Sequence, residues 1–288
     1  MSNPFDLNDD GTYARWRDQK LAVAPTDINE LIVEVRDPRA LSKAEHSQLM
    51  ALIKRCNMAI YASAIISEDS EIPRQLGAQF GLHKLDANWL AGEDGISEIR
   101  VFEGGTQTLY IPYTNKPIKW HTDGYYNAPD WQIRGMVLHC VRDAASGGDN
   151  KLMDHEMAYL LLRDENPEHI HALSQMDALV IPERVDEKDG VRPAQGGPVF
   201  SLDTNGHLHM RYTARTRSIE WKKDSATQAA VAALEHLLAT NTQHIFIGHL
   251  QPGMGLLCNN VLHDREAFTD HPERPRLLYR ARYLDRIA

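Results

Sequence analysis

The sequence predicts a mainly β fold with helical insertions, for three reasons. Short apolar segments follow one another from Ile96 into the C-terminal part of the chain. Turn signals such as Gly104-Gly105, Gly147-Gly148, Gly196-Gly197 and Asn205-Gly206 separate many of these segments. Helical periodicity interrupts the run at only a few places. Many short strands separated by glycine turns are typical of a β-sandwich or barrel.

The N-terminal part, residues 1–94, is predicted to form an α/β flank. Leu31–Val35 is mostly apolar and β-branched, which is typical of a strand. Ser42-Lys43-Ala44-Glu45 is a capping box that predicts a helix running to about Arg55. Asn57–Ile66 is apolar enough for a buried strand, and a short helix over Pro73–Phe80 is expected to end at Gly81.

Residues 95–288 are predicted to hold the β core, within one domain that covers the whole chain. The strands predicted here are Ile99–Phe102, Thr108–Ile111, Ile133–Val141, Ala178–Ile181, Val199–Leu202, Leu208–Tyr212, His244–Ile247, Gly255–Asn259 and Leu277–Tyr283. The helices predicted here are Asp154–Arg163, Pro167–Gln175 and Ser225–Thr240. Glu183–Pro198 is polar and rich in Gly and Pro, so it predicts a loop and a candidate lid.

Composition restricts the partners that the chain is expected to have. The formal net charge is −9 without a clustered Lys/Arg stripe, which argues against binding nucleic acid. No apolar run reaches membrane-spanning length and the N-terminus has no apolar signal region, so neither a membrane partner nor secretion is expected. The 3 cysteines are isolated and odd in number, which favours a reducing cytoplasm. A small-molecule substrate is the expected partner, and a homo-oligomer is compatible with the sequence.

A metal site is first indicated by Trp120-His121-Thr122-Asp123-Gly124. If this segment is a strand, residues i and i+2 share a face, so His121 and Asp123 project together. A further ligand from elsewhere would complete a set of two His and one carboxylate, which favours Fe(II). His271 and Glu273 have the same spacing, but Pro272 lies between them and predicts an exposed loop.

Two distant motifs make the chain resemble the taurine dioxygenase-like (TauD/TfdA) family of Fe(II)- and 2-oxoglutarate-dependent oxygenases. The motifs are Trp120-His121-Thr122-Asp123-Gly124-Tyr125 and Asn260-Val261-Leu262-His263-Asp264-Arg265-Glu266-Ala267-Phe268, followed by Arg276 and Arg280. The resemblance covers roughly Ile96 to Tyr283. It implies a double-stranded β-helix (jelly roll) in which His121, Asp123 and His263 hold the iron.

The resemblance also implies how 2-oxoglutarate is bound. Its C1 carboxylate and keto oxygen would chelate the iron, and its C5 carboxylate would meet a guanidinium fork. By the family pattern Arg276 is this anchor and Arg280 is its neighbour, while Arg274 lies between Glu273 and Pro275 and is expected to be exposed. In the turn Gly147-Gly148-Asp149-Asn150, Asn150 stands where the family has Thr or Ser, and its amide can still donate to a carboxylate. O₂ would complete the reaction, which hydroxylates an aliphatic C–H and releases succinate and CO₂.

The substrate is predicted only by class. Residues 136–175 resemble the gamma-butyrobetaine and trimethyllysine hydroxylase branch, whose aromatic cage binds a quaternary ammonium. Tyr110, Tyr113 and Tyr125 are the cage candidates, although the same rings could simply pack the barrel wall. Arg211 and Arg215 share strand parity and favour an anionic group instead. A small carboxylate-bearing compound, similar to an amino acid, a betaine or a sulfonate, satisfies both observations.

Two other classes of protein remain as alternatives. A cupin-like isomerase or hydrolase of related fold would need no Arg276 and would form no succinate. A non-catalytic binding protein would have no need for all of the predicted metal ligands.

Overall fold

The computed structural model describes residues 3–86, 95–186 and 190–288, and within them the protein is mainly β with several helices. The helices are α1 (Asp10–Val23), α2 (Lys43–Cys56), α3 (Ile72–Gln79), α4 (His155–Glu165), α5 (Pro167–Leu173) and α6 (Ser225–Thr240). Strands β1 to β7 are Ile32–Glu34, Met58–Ala62, Ser97–Ile99, Ile118–His121, Gly135–Arg142, Ser146–Gly147 and Asn150–Met153. Strands β8 to β14 are Leu179–Ile181, Arg184–Asp186, Gly190–Arg192, Gln195–Gly197, Phe200–Leu202, Leu208–Met210 and Glu220–Trp221. Strands β15 to β19 are Phe246–Gly248, Met254–Cys258, Leu262–Arg265, Phe268–Thr269 and Leu277–Tyr283.

The helices begin where local caps favour them. In α2 the Ser42 hydroxyl accepts from the Glu45 backbone N–H, and the Glu45 carboxylate accepts from the Ser42 N–H, which confirms the predicted capping box. The helix ends at Asn57, which takes the left-handed conformation. Helix α1 is not indicated by the sequence pattern, because only Tyr13 and Lys20 of it are buried. None of the helices that the structure describes is long and apolar enough to cross a membrane.

The chain divides into two compact units. The first consists of the described residues of Met1–Ala24, Trp120–Gln132 and Met153–Ile245. It contains α1, α4, α5 and α6, a three-stranded sheet of order β11-β8-β14, and the antiparallel pairs β9/β10 and β12/β13. Lys20 of α1 is buried and lies 2.6 Å from both Asp154 and Glu156 at the start of α4, which fastens α1 to this unit.

The second unit consists of the described residues of Pro25–Lys119, Ile133–Leu152 and Phe246–Ala288. Its main sheet has the order β1-β2-β16-β5-β19-β3. The β1/β2 pair is parallel, and the pairs β2/β16, β16/β5, β5/β19 and β19/β3 are antiparallel. The apolar side chains of β2, β5, β16 and β19 form a core with those of α2 and α3. A four-stranded sheet of order β15-β7-β17-β4 and the short β18/β6 pair complete the strands.

Three of the predicted elements are wrong. Of the predicted strand Ile99–Phe102 only the first residue lies in a strand, because β3 covers Ser97–Ile99. Thr108–Ile111 is not a strand, because the segment forms short 3-10 helices over Thr106–Leu109 and Ile111–Tyr113, and Pro112 presets the helical backbone angle. Glu183–Pro198 is not a plain loop, because it contains β9, β10 and β11, although residues 187–189 of it lie outside the described part of the chain. The expectation of one domain over the whole chain stays a prediction.

Candidate metal centre

His121 and Asp123 are held at the point where β4 ends. The strand ends at His121, and Asp123 lies in the turn that follows. The predicted strand face therefore explains the position of His121 but not that of Asp123. Thr122 fixes this end of the strand: its N–H donates to the Tyr212 carbonyl at 3.0 Å, and its hydroxyl accepts from the Tyr212 N–H at 3.1 Å. Gly124 allows the turn with φ +67°. The His121 Nε2 and Asp123 Oδ1 atoms are 3.7 Å apart and both residues are buried.

His263 lies on β17, the neighbour of β4 in the four-stranded sheet. Its Nδ1 atom is 2.9 Å from the Val261 carbonyl oxygen, which can only accept. Nδ1 must therefore carry the proton, which leaves Nε2 as the nitrogen with a lone pair. A hydrogen bond of this kind fixes the ring orientation and tautomer that a metal-binding histidine needs.

His121, Asp123 and His263 each offer one ligand atom, and these atoms lie within 4.8 Å of one another. Two imidazoles and one carboxylate form the donor set that suits Fe(II) and leaves coordination positions open. All three side chains are buried, so few water molecules reach the ligand atoms that would hold the ion. The residues present therefore fit an iron ion.

Arg276 and Arg282 differ although both are buried. Arg282 donates to Asp86 and so has a carboxylate partner within the protein. The Arg276 guanidinium carbon lies 5.0 Å from the centre of the Phe268 ring, and its Nη1 atom is buried without a hydrogen-bond partner among the described residues. Its backbone N–H donates to Asp270 at 2.7 Å. Burial lowers the pKa of Arg276 because it disfavours the charged guanidinium. An anion that binds beside the guanidinium would stabilise this charge.

Arg265, which was not predicted as a site residue, lies two residues after His263 on the same strand. Its guanidinium is buried and donates to backbone carbonyls of residues 112, 114 and 116. Burial, with the added repulsion of Arg276 and Arg280, lowers the pKa of Arg265 to about 9. Strand parity with His263 could have indicated that its side chain points inward. Arg280, the predicted neighbour of the anchor, is half-buried on β19.

Asn150 and His263 line the same cavity, which has a volume of about 450 Å³. The walls are mostly apolar, and no Lys or Arg is among the residues that line the cavity. The Asn150 amide nitrogen lies 2.5 Å from the Asp264 carbonyl oxygen, so one of its two protons is already used within the protein. Its second proton can still serve a ligand oxygen.

The Gly147-Gly148 turn before Asn150 packs closely against the strand that follows His263. Both glycines have positive φ, at +69° and +83°. A Cβ at Gly148 would lie 3.4 Å from Phe268 Cβ and 3.9 Å from Arg276 Nε, and one at Gly147 would collide with the Ala267 carbonyl oxygen. The turn therefore needs glycine for its backbone angles and for this close contact.

The candidate substrate residues lie in different surroundings. Tyr113 is buried and packs with Ile99, Cys140 and Leu278, and Tyr110 is half-buried against the same cluster. This is the environment expected of rings that fill a wall. Their role in a cage stays a prediction.

Arg211 is buried and donates to the Tyr125 carbonyl at 2.6 Å and to the Gln195 carbonyl at 2.8 Å, so much of its guanidinium serves the protein itself. Arg215 is half-buried. Tyr125 is a separate case, in which its own burial raises the pKa of the phenol. Substrate contacts of Arg211, Arg215 and Tyr125 remain predictions.

Comparison with known proteins connects the chain with oxygenases. It is 31% identical over 171 residues to a uridine-5'-phosphate dioxygenase of Amycolatopsis sp, covering 58% of this chain and 60% of that protein. It is 29% identical over 168 residues to a trimethyllysine dioxygenase of Meyerozyma guilliermondii, covering 54% of this chain and 40% of the relative. The chain thus spans less than two thirds of the length of these relatives.

The fold has a solved counterpart in an asparagine oxygenase in complex with Fe(II), 2S,3S-3-hydroxyasparagine and succinate. The TM-score is 0.61 at 16% identity, and the match covers 86% of this chain and 81% of the other. The family model described as "Taurine catabolism dioxygenase TauD, TfdA family" matches residues 74–282, which confirms the predicted resemblance. With this match extending over most of its length, the chain belongs to the TauD, TfdA family.

Proposed function

We propose that this protein is an Fe(II)- and 2-oxoglutarate-dependent dioxygenase that hydroxylates an aliphatic C–H of a small carboxylate-bearing substrate. The observation that carries the proposal is the set of ligand atoms from His121, Asp123 and His263 within 4.8 Å of one another. The relatives and the structural counterpart named above are oxygenases, which supports the same reaction class.

The residues divide the work of binding. His121, Asp123 and His263 would hold the iron, with the His263 tautomer set by the Val261 carbonyl. Arg276 would donate to the C5 carboxylate of 2-oxoglutarate through Nη1, which has no hydrogen-bond partner among the described residues, and the Asn150 amide would donate to another ligand oxygen. Arg280 would supply further positive charge beside the anchor. When bound, the iron supplies the oxidative chemistry by which 2-oxoglutarate and O₂ yield succinate, CO₂ and a hydroxylated product.

The buried surroundings of these residues favour that chemistry. The cavity beside His263 is lined by more apolar than polar residues, and its apolar part would strengthen electrostatic contacts with a bound ligand. Its volume of about 450 Å³ lies within the range typical of small-molecule sites. We infer that the two larger sheets form the double-stranded β-helix of the family.

The substrate class is supported from two sides. The named relatives act on uridine-5'-phosphate and trimethyllysine, and the structural counterpart contains a hydroxylated asparagine, so small polar molecules with an anionic group recur. In this chain Arg215 is a half-buried cation that could meet such a group. A charged hydrogen bond is worth about 1.5–3 kcal/mol and a cation–π contact about 0.5–2 kcal/mol, so the anionic end should dominate affinity.

The setting of the enzyme is also part of the proposal. The three cysteines are buried and form no disulfide among the described residues, which supports a reducing compartment such as the cytoplasm. A small molecule is the proposed partner, and a homo-oligomer stays a prediction.

Anaerobic addition of Fe(II) and 2-oxoglutarate tests the proposal. The wild-type protein should develop a weak visible charge-transfer band, and on admission of air it should release succinate when a substrate from amino acids, betaines or sulfonates is supplied. His263→Ala should lose both signals because one ligand is missing, while His169→Ala, which removes a buried histidine of α5, should keep them. Wild-type succinate release by His263→Ala would overturn the iron assignment. Metal-dependent turnover without succinate would favour the isomerase or hydrolase alternative, and the absence of any turnover would favour a binding protein.

A further inference from the structure

Arg265 connects two segments that lie about 150 residues apart in sequence. Its Nη1 donates to the Pro112 carbonyl at 3.2 Å, and its Nη2 donates to the carbonyls of Thr114 at 2.7 Å and Lys116 at 2.6 Å. Its side chain is buried, and these acceptors are neutral, so the cation is solvated by the backbone of a single short segment. That segment leads directly into β4, which ends at His121.

Phe268 links Arg265 to Arg276. The two guanidinium carbons lie 4.9 Å and 5.0 Å from the centre of the same buried ring. The Phe268 N–H also donates to the carbonyl of Asn115 at 3.2 Å, which fastens the ring to the segment that Arg265 holds. Both contacts are of the cation–π kind, which is worth most when the cation is removed from water.

The direction of the Arg276 guanidinium depends on this packing. Its Nη1 has no hydrogen-bond partner among the described residues, and its Nε lies within van der Waals distance of a Cβ built at Gly148. The Phe268 ring is therefore the surface over which the guanidinium lies, and the absence of a side chain at Gly148 leaves room for it. A shift of the ring would turn the fork away from its ligand, and bidentate contacts with a carboxylate depend on that orientation.

We propose that Arg265 is a positioning residue for the co-substrate site: it holds the 112–116 segment and Phe268 in place, and Phe268 in turn orients Arg276. The inference rests on the proposed function, because it takes Arg276 as the anchor of a dicarboxylate. A lysine could not replace Arg265, since a planar fork with several donors reaches separate carbonyls at once and a compact ammonium does not. Arg265 itself does not touch the ligand.

The test compares Arg265→Lys with Arg163→Lys. Arg163 is a matched control, because it is also buried, donates to the backbone carbonyls of Pro4 and Asp6, and lies 3.8 Å over the Tyr13 ring. Both variants should lower Tm, since each keeps the charge and loses the fork. Only Arg265→Lys should raise the Kd for 2-oxoglutarate, by about fivefold or more, measured by anaerobic titration of the Fe(II) complex.

A second pair of variants shows the route of the effect. Phe268→Leu should raise the same Kd, and adding Arg265→Lys to it should raise the Kd by less than the product of the separate factors, because both act through one ring. If Arg265→Lys does not fold, the effect of Phe268→Leu on the Kd decides the question. The inference would be overturned if the Kd for 2-oxoglutarate changed equally little in Arg265→Lys and Arg163→Lys. It would also be overturned if the fold-changes in Kd of Phe268→Leu and Arg265→Lys multiplied in the double variant. A wild-type protein that shows no 2-oxoglutarate complex at all would instead contradict the proposed function.

Discussion

Two buried arginines, one near each end of β19, lie in contrasting surroundings. Near one end Arg282 donates to Asp86, so its charge is matched inside the protein. Just before the other end Arg276 lies over Phe268 with Nη1 buried and without a partner among the described residues. Strand parity in the sequence treats these two arginines alike, and only their partners separate them.

The difference supports the proposal that the Arg282 charge serves the fold and that the Arg276 charge serves a ligand. A buried ion pair that is complete stabilises the folded state only relative to its own broken form. A buried cation with an unsatisfied donor carries a free-energy cost in the unliganded protein, and an anion that fills the position removes that cost. The same residue type can therefore be structural at one end of a strand and functional at the other.

The largest expected effect comes from exchanging each arginine for alanine. Arg282→Ala removes the buried ion pair between Arg282 and Asp86, so the free energy of unfolding should fall by about 3–5 kcal/mol, measured by urea denaturation. Arg276→Ala should change stability less and should weaken 2-oxoglutarate binding at least roughly tenfold. The comparison breaks down if folded Arg282→Ala protein binds 2-oxoglutarate as weakly as Arg276→Ala does.

His139 sharpens the comparison, because it faces the middle of β19 in register with Tyr279 and is not among the residues proposed to bind a ligand. It is fully buried, 3.0 Å from the Tyr61 hydroxyl, and burial lowers its pKa to about 4. With a folded pKa below the unfolded value of about 6.5, the unfolded chain takes up the proton first as the pH falls. The contribution of His139 to the free energy of unfolding is therefore fully present above pH 6.5. It should decline by up to roughly 3 kcal/mol as the pH falls toward 4.

The measurement is urea unfolding at pH 7.5 and pH 4.5 for the wild type and for His139→Gln. The decline should be smaller in His139→Gln, whereas His171→Gln, which removes an exposed histidine, should follow the wild type. Equal declines in His139→Gln and the wild type would show that other groups cause the acid sensitivity.

The smallest of these effects is expected at the turn that packs against the Arg276 end. Gly147→Ala places a Cβ against the Ala267 carbonyl and strains a backbone with φ +69°, so unfolding should become easier by about 2 kcal/mol. Gly104→Ala is the control, because a Cβ there meets nothing within 4 Å. Thermal unfolding of the two variants gives the comparison, and equal Tm values would show that the turn adjusts freely.

Features that depend on neighbours in sequence were predictable. The capping box of Ser42 and Glu45 forms as expected, because all of its partners lie within one helical turn. Helix α6 matches its predicted bounds, Ser225–Thr240, because its apolar stripe is continuous. The grouping of His121 and Asp123 with His263 was predicted from the family resemblance, since residue spacing alone does not bring distant strands together.

Features that depend on distant partners were not predictable. Helix α1 is stabilised by Lys20, whose carboxylate partners lie on α4. Arg265 looked like an ordinary strand residue, because the carbonyls that solvate it come from about 150 positions earlier. Asp123 was placed on a strand because periodicity does not show where pairing stops, and in the structure the turn at Gly124 decides its position.

The buried cysteines have a consequence for the kinetics of opening. Cys56 ends α2, Cys140 lies on β5 beside Tyr113 and Leu278, and Cys258 ends β16, all at 3% exposure or less. Burial raises the pKa of Cys140 to about 12, so its thiolate is scarce in the native state. A thiol reagent can then label each cysteine only when its own neighbourhood opens, and the labelling rates report local opening at three separate places. Because Arg276 lies close enough to Cys140 to influence its charge, a bound dicarboxylate should slow labelling there first.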